Sequence, residues 1–153
     1  MKNKRIFALI LFFIVLFFTG CQNNNKIKIF DSSEIPNDKK GYISLSVYGT
    51  DGEEIIREVY VPLDYKKKIT VKDLSRDICR ELGIPFVVTS DGYVQGINNL
   101  FEKDRGPESG WLYCVNGEFQ KVGCGDYILK DGDYVEWRYT YDLGKDLDAY
   151  KLD

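Results

Sequence analysis

The sequence predicts an α+β domain in which a sheet clasps a single helix, and three observations carry that expectation. Residues 42–48 and 55–61 alternate apolar and polar side chains on either side of an Asp51-Gly52 turn. One amphipathic stretch with a cap and a stop follows, from Thr70 to Gly83. Residues 111–115 and 134–139 are then β-branched and aromatic runs separated by turn residues, the composition of paired strands.

In order, Ile43, Leu45 and Val47 alternate with Tyr42, Ser44, Ser46 and Tyr48, as in a half-buried strand. Val59 and Val61 alternate with Glu58 and Tyr60 before Pro62 ends the segment, so the two runs form a hairpin. Thr70 is placed to cap a helix, with Asp73 three residues on, and Val71, Leu74, Ile78 and Leu82 recur at helical spacing. Gly83 supplies a left-handed terminator and Pro85 prevents continuation. Cys79 lies beside Ile78 on that helix and reads as an inert buried thiol. Short strands at residues 86–89 and 93–97 flank an Asp91-Gly92 turn. A charged loop through Arg105, the Trp111 strand, a loop over 116–125, residues 127–129 and the final strand complete the domain. A β-grasp domain has this order, and other α+β folds share it.

The first twenty residues fall outside that domain. Lys2, Lys4 and Arg5 precede an apolar run from Ile6 to Phe18, and Thr19-Gly20-Cys21 follows, which reads as a lipoprotein signal peptide over 1–20. Cys21 is then the lipidated first residue of the mature chain; an uncleaved amino-terminal anchor is the alternative and leaves the same topology. Both readings place the domain outside the cytoplasm, on the cell membrane. Residues 21–40 are polar and read as a flexible tether, 41–147 as the domain, and 148–153 as a polar tail.

The formal net charge of −3 becomes −6 once the three leader cations are removed, which argues against nucleic acid as a partner. With Cys21 acylated, Cys79, Cys114 and Cys124 remain, an odd number that cannot be fully paired within one chain. Cys114 and Cys124 flank a hairpin or short loop, so they are either a local disulfide or two small buried thiols. Histidine and Cys-x-x-Cys are both absent, so no metal site is expected.

The stretch from Gly106 to Gly144 reads as a binding surface. Asn116-Gly117 is first of all a hairpin turn, and it can face a ligand as well. Lys130-Asp131-Gly132-Asp133 matches no calcium loop and reads as a turn. The charges at 102–108 read as a solvated loop, and Lys66-Lys67-Lys68 is a weak sign of contact with an anionic membrane. Catalysis is not expected: a Gly-x-Ser-x-Gly elbow, a phosphate-cradling glycine motif and a matched nucleophile and base are all missing.

Several motifs together resemble a known family. They are Thr70-Val71-Lys72-Asp73-Leu74, Gly96-Ile97-Asn98-Asn99-Leu100, Ser109-Gly110-Trp111-Leu112-Tyr113, Val115-Asn116-Gly117, and Gly125-Asp126-Tyr127 with Lys130-Asp131-Gly132-Asp133. Gly106 to Trp111 and Trp137-Arg138-Tyr139-Thr140 add to them. The chain is similar over 41–146 to the carboxy-terminal domain of transcobalamin and intrinsic factor, and to bacterial lipoproteins carrying that domain alone. The resemblance implies a soluble-ligand-binding β-grasp domain that acts as a lid over one face of a corrinoid. The matching lid segment is 115–123, which makes Asn116, Gly117, Phe119, Gln120 and Val122 candidate ligand-binding residues together with Trp111 and Tyr113 of the strand before it, Trp111 either lining the surface or anchoring the strand beneath it.

The helical domain that holds the other corrin face in those carriers is absent from this sequence, so the resemblance transfers the fold better than the ligand. The first expectation is a non-enzymatic, anchored ligand-binding protein that requires no cofactor. Its candidate ligand is a cobalamin-like corrinoid, and its partners would be the membrane, a soluble small molecule, and a transporter or separate helical protein. The second is a surface interaction module that docks on an envelope partner through the Trp111 and Phe119 face or by strand addition.

Overall fold

The computed structural model describes residues 26–149, and within them the chain is a mixed α+β domain, mostly sheet, with one α-helix. Strands β1 (Tyr42–Tyr48) and β2 (Glu54–Pro62) pair antiparallel, with Ile43 opposite Val61 and Leu45 opposite Val59. Asp51 and Gly52 turn the chain between them with φ of 55° and 77°. The small strands β3 (Phe86–Val88), β4 (Val94–Ile97) and β5 (Leu100–Phe101) form a second sheet in that order. Strands β6 (Gly110–Val115), β7 (Glu118–Phe119) and β8 (Tyr134–Thr140) complete the larger one, ordered β2-β1-β8-β6-β7. Its centre is parallel, with Leu45 beside Val135 and Val47 beside Trp137.

Helix α1 (Val71–Leu82) begins and ends where local chemistry dictates. The Asp73 amide donates to Thr70 Oγ1 at 3.1 Å and the Thr70 amide donates to Asp73 Oδ2 at 3.2 Å, satisfying two amides that the first turn leaves without helical partners. Gly83 closes the helix at φ 69°. Val71, Leu74, Ile78 and Cys79 are buried in the core shared with Ile43, Leu45 and Val47 of β1 and Val135, Trp137 and Tyr139 of β8. Leu82 shares the helical stripe but is the last helical residue and stays exposed. Trp137 Nε1 donates to Ser75 Oγ at 2.9 Å, so the helix and the central strand are joined by a buried polar contact as well as by packing.

Two expectations need correction. Strand β1 is not half-buried: Ser44 and Ser46, on the side away from the helix, are buried as well. Aromatic side chains of neighbouring strands cover that side. Tyr134 shares a 2.6 Å hydrogen bond with Ser46 Oγ, Tyr60 stands opposite Ser44, and Ser44 Oγ donates to Glu58 Oε1 at 2.9 Å. Satisfied hydroxyls of this kind can be buried without leaving a polar group unbonded.

The second correction concerns the domain's first residue. Part of the expected tether lies on the domain: Phe30 and Tyr60 exchange backbone hydrogen bonds at 2.9 Å, and Ile27 and Ile29 pack against the core. Residues 27, 29 and 30 therefore belong with the packed domain. The leader, Cys21 and residues 22–25 lie outside the described residues, as do the last four. At the end of the expected domain, 145–147 form a single 3₁₀ turn, and Asp146 accepts from the Tyr141 amide at 3.0 Å.

Candidate ligand-binding cleft

Strand alternation decides what the aromatic run of β6 can do. Trp111, Tyr113 and Val115 point to the helix side, while Leu112 and Cys114 point away from it. Trp111 is held by its indole N–H, which donates to Leu100 O at 2.8 Å, and by an edge-on contact with Tyr139 at 5.2 Å. Tyr113 stacks at a tilt on Trp137 at 5.3 Å and donates its hydroxyl to Val122 O at 2.8 Å. That bond pins the 120–124 loop over the end of the sheet.

The same loop is clamped from its other side. Cys124 Sγ donates to Gly92 O at 2.9 Å, and the Lys72 amide donates to Cys124 O at 2.9 Å. Gly92, at φ 87°, approaches so closely that a Cβ there would meet the Gly125 nitrogen at 3.1 Å. A cleft of about 270 Å³ results, between the 120–124 loop and the turn that leads into β4. Trp111, Tyr113 and Trp137 line its interior; Tyr93 and Val122, 48% and 50% exposed, stand at its mouth with Gln120 and Lys121. A second cleft, of about 330 Å³, continues past Tyr93, Trp111 and Leu112 towards Ser109 and Leu143. Large apolar walls with a few polar groups suit binding of a small molecule.

Of the seven residues expected to bind, Trp111, Tyr113, Gln120 and Val122 line the first cleft. The other three do not. Asn116 and Gly117, at φ 54° and 85°, are the two turn residues between β6 and β7. The Asn116 side chain is engaged on both ends, donating to Asp133 Oδ1 and accepting from the Tyr134 amide, each at 2.9 Å. Phe119 pairs with Cys114 and therefore lies on the sheet side away from the helix, which removes it from the cleft. The 91–94 segment was missed as the opposite wall, because a contact between Gly92 and Cys124 spans 32 residues and leaves no local pattern. An aromatic residue directly after an Asp-Gly turn was the one available signal.

Cys114 and Cys124 are not bridged; both are free thiols, as is Cys79. The reason is again alternation: Cys114 sits away from the helix, 3.9 Å from Glu136 Oε1, whereas Cys124 belongs to the core beside Gly92. Burial pushes Cys79 up to about 12 and is the main reason that Cys114 and Cys124 rise to about 11. At pH 8 such thiols are thiolate to the extent of roughly 0.1% or less, so they are poor nucleophiles. In the folded protein all three are expected to resist iodoacetamide, and in urea all three are expected to react. Mass spectrometry showing only one reactive thiol in urea would restore the bridge. Tyr93 is also held neutral, pushed up to about 12 chiefly by its hydrogen bond to Glu102.

Among the described residues no three His, Cys, Asp or Glu side chains gather to hold a metal. The Asp133 carboxylate is consumed by the turn, accepting from the Lys130 amide at 2.8 Å and from Asn116.

A family described as a domain of unknown function, DUF4430, matches residues 80–141, a span that contains both walls of the cleft. No curated protein matches the chain. Among solved structures it is similar to haptocorrin in complex with Cbi, at 22% identity and a TM-score of 0.49, over 68% of this chain and 26% of that one. It thus spans about a quarter of haptocorrin's length. It is also similar to a candidate metal-binding protein from Ruminococcus gnavus ATCC 29149, at 17% identity and a TM-score of 0.47, over 66% of this chain and 97% of that one.

Proposed function

We propose that this chain is a non-enzymatic, extracytoplasmic ligand-binding protein of the cell membrane, lipid-anchored through Cys21, with a corrinoid as first candidate ligand. The observation that carries the reading is the cleft itself, whose apolar walls are fixed by hydrogen bonds from Tyr113 and Cys124 while Tyr93 and Val122 remain exposed at its mouth. A preformed mouth spares the ordering cost that weakens binding by mobile loops. The thiol at the cleft, Cys124, is kept protonated chiefly by its burial, which favours binding over chemistry.

The hairpin, helix and parallel pairing of β8 with β1 support a β-grasp reading of the fold. The corrinoid candidate comes from the sequence motifs. At about 270 Å³ the first cleft is smaller than typical drug-sized pockets of about 300–1,000 Å³, so it would grip one edge of a corrin and leave the rest to a helical partner or transporter.

Titrating the full-length protein in detergent with cobalamin, by calorimetry, tests this directly. Saturable binding at micromolar or tighter affinity is expected, about 8 kcal/mol. A flat heat trace across cobalamin and its precursors would remove the corrinoid ligand. In the alkylation experiment a fourth reactive thiol, from Cys21, would remove the lipid anchor.

A further inference from the structure

We infer, on the reading that Cys21 is lipid-anchored, that the turn 64–68 is a second membrane contact, seated on anionic lipid headgroups beside the anchor. Ile27 packs against the core and lines a groove of about 340 Å³ whose rim carries Lys67 and Lys68. Six residue steps separate Cys21 from Ile27, a span of at most about 22 Å at full extension. A tether running to residue 40 would have reached about 70 Å. A domain of this length has a radius of gyration of about 14 Å, so the shorter reach falls below its diameter. The side bearing Ile27 is therefore the one kept near the bilayer.

That side carries the chemistry a headgroup layer takes. Tyr65, 70% exposed, is followed there by exposed Lys66, Lys67 and Lys68. The turn is fixed: the Lys66 amide donates to Asp64 Oδ1 at 3.0 Å, the Lys67 amide to Asp64 O at 2.9 Å, and the Tyr65 hydroxyl to Asp131 Oδ2 at 3.0 Å. The carboxylates that line the groove already have cations beside them. Asp64 meets Lys67 at 3.6 Å, Asp73 meets Arg76 at 3.5 Å and Asp77 meets Arg80 at 2.8 Å. Among the described residues neither Lys66 nor Lys68 forms an ion pair, so both charges are available to lipid phosphates. Lysine stems extend such charges to the headgroups, and tyrosine rings settle at the same level.

Three lysines in an acidic domain are weak by themselves, worth about fivefold each at an anionic surface. Anchoring changes the balance. A tethered turn meets the bilayer at high effective concentration, so a contact too weak to recruit the protein is enough to orient it. The groove shares no residue with either cleft, so this contact does not use the residues that line them.

The test uses the full-length protein inserted into preformed vesicles, either of phosphatidylcholine alone or of an equal mixture with phosphatidylglycerol. Vesicle-bound protein is recovered by flotation, acetylated with the N-hydroxysuccinimide ester of acetic acid, and mapped by mass spectrometry. Acetylation of Lys66 and Lys68 is expected to be at least about fivefold slower on the mixed vesicles, while exposed Lys103 and Lys145 react alike on both. In a variant carrying Lys66→Glu and Lys68→Glu, the protection of Lys67 should disappear. Protein that floats, yet is acetylated at Lys66 and Lys68 equally on both vesicles, would overturn the headgroup contact and leave the anchor standing. Slowing of equal size at Lys103 and Lys145 would overturn it as well, since the effect would not belong to the turn. Protein that does not float would remove the anchor and the contact together.

Discussion

Replacing Trp137 with alanine is expected to cost about 3–5 kcal/mol of stability, the range for deleting a large buried aromatic side chain. Trp137 is 2% exposed at the centre of the parallel β1–β8 pairing. Its ring meets Tyr113 at 5.3 Å and Phe86 at 6.2 Å, and its indole N–H donates to Ser75 Oγ. The substitution removes packing from the larger sheet, the smaller sheet and the helix together. Domains of this size are stable by about 5–15 kcal/mol in all, so the substitution removes a large fraction of the total stability.

Trp137→Phe separates the two contributions. It keeps an aromatic ring and loses the hydrogen bond, and Ser75 Oγ still donates to Val71 O at 2.7 Å, so a smaller loss of about 1–2 kcal/mol is expected. Urea denaturation of both variants measures the difference. A Trp137→Ala variant within about 1 kcal/mol of the parent would mean that the two sheets do not share one cooperative core.

The features legible in the sequence are those whose cause is local. Thr70 and Asp73 lie within one turn of each other, and Gly83 adopts the left-handed conformation that only its own flexibility requires, so the helix could be bounded from its residues alone. The side chains of β6 follow from period two as far as Val115. Phe119 shows where that reasoning stopped too soon. A two-residue Asn-Gly turn sets Val115 opposite Glu118 and Cys114 opposite Phe119, which sends Phe119 to the side away from the helix. The separation of Cys114 from Cys124 follows from the same alternation.

The remainder has no local cause. The burial of Ser44 and Ser46 depends on Tyr60 and Tyr134, and the second cleft wall depends on Gly92 meeting Cys124 and Gly125. Lys26 to Phe30 read as tether because they continue a polar run, although Ile27 and Ile29 alternate with Lys26 and Lys28 and now sit against the core.

Val122→Asp is expected to abolish most ligand binding while leaving the fold intact. Val122 is 50% exposed, and the loop is positioned through its backbone carbonyl, which Tyr113 bonds whatever the side chain, so stability should change by no more than about 0.5 kcal/mol. For the ligand the change is larger. An apolar contact at the mouth becomes a carboxylate that must lose water when an apolar surface closes over it, so the dissociation constant for cobalamin should rise at least about tenfold. Phe119→Ser is the matched comparison, since Phe119 belonged to the same sequence-derived site but stands on the other side of the sheet. It should leave affinity within about twofold. If Phe119→Ser weakens binding and Val122→Asp does not, the ligand occupies the opposite side of the sheet. The 120–124 loop would then serve the fold alone, closing the end of the core over Tyr113 and Cys124.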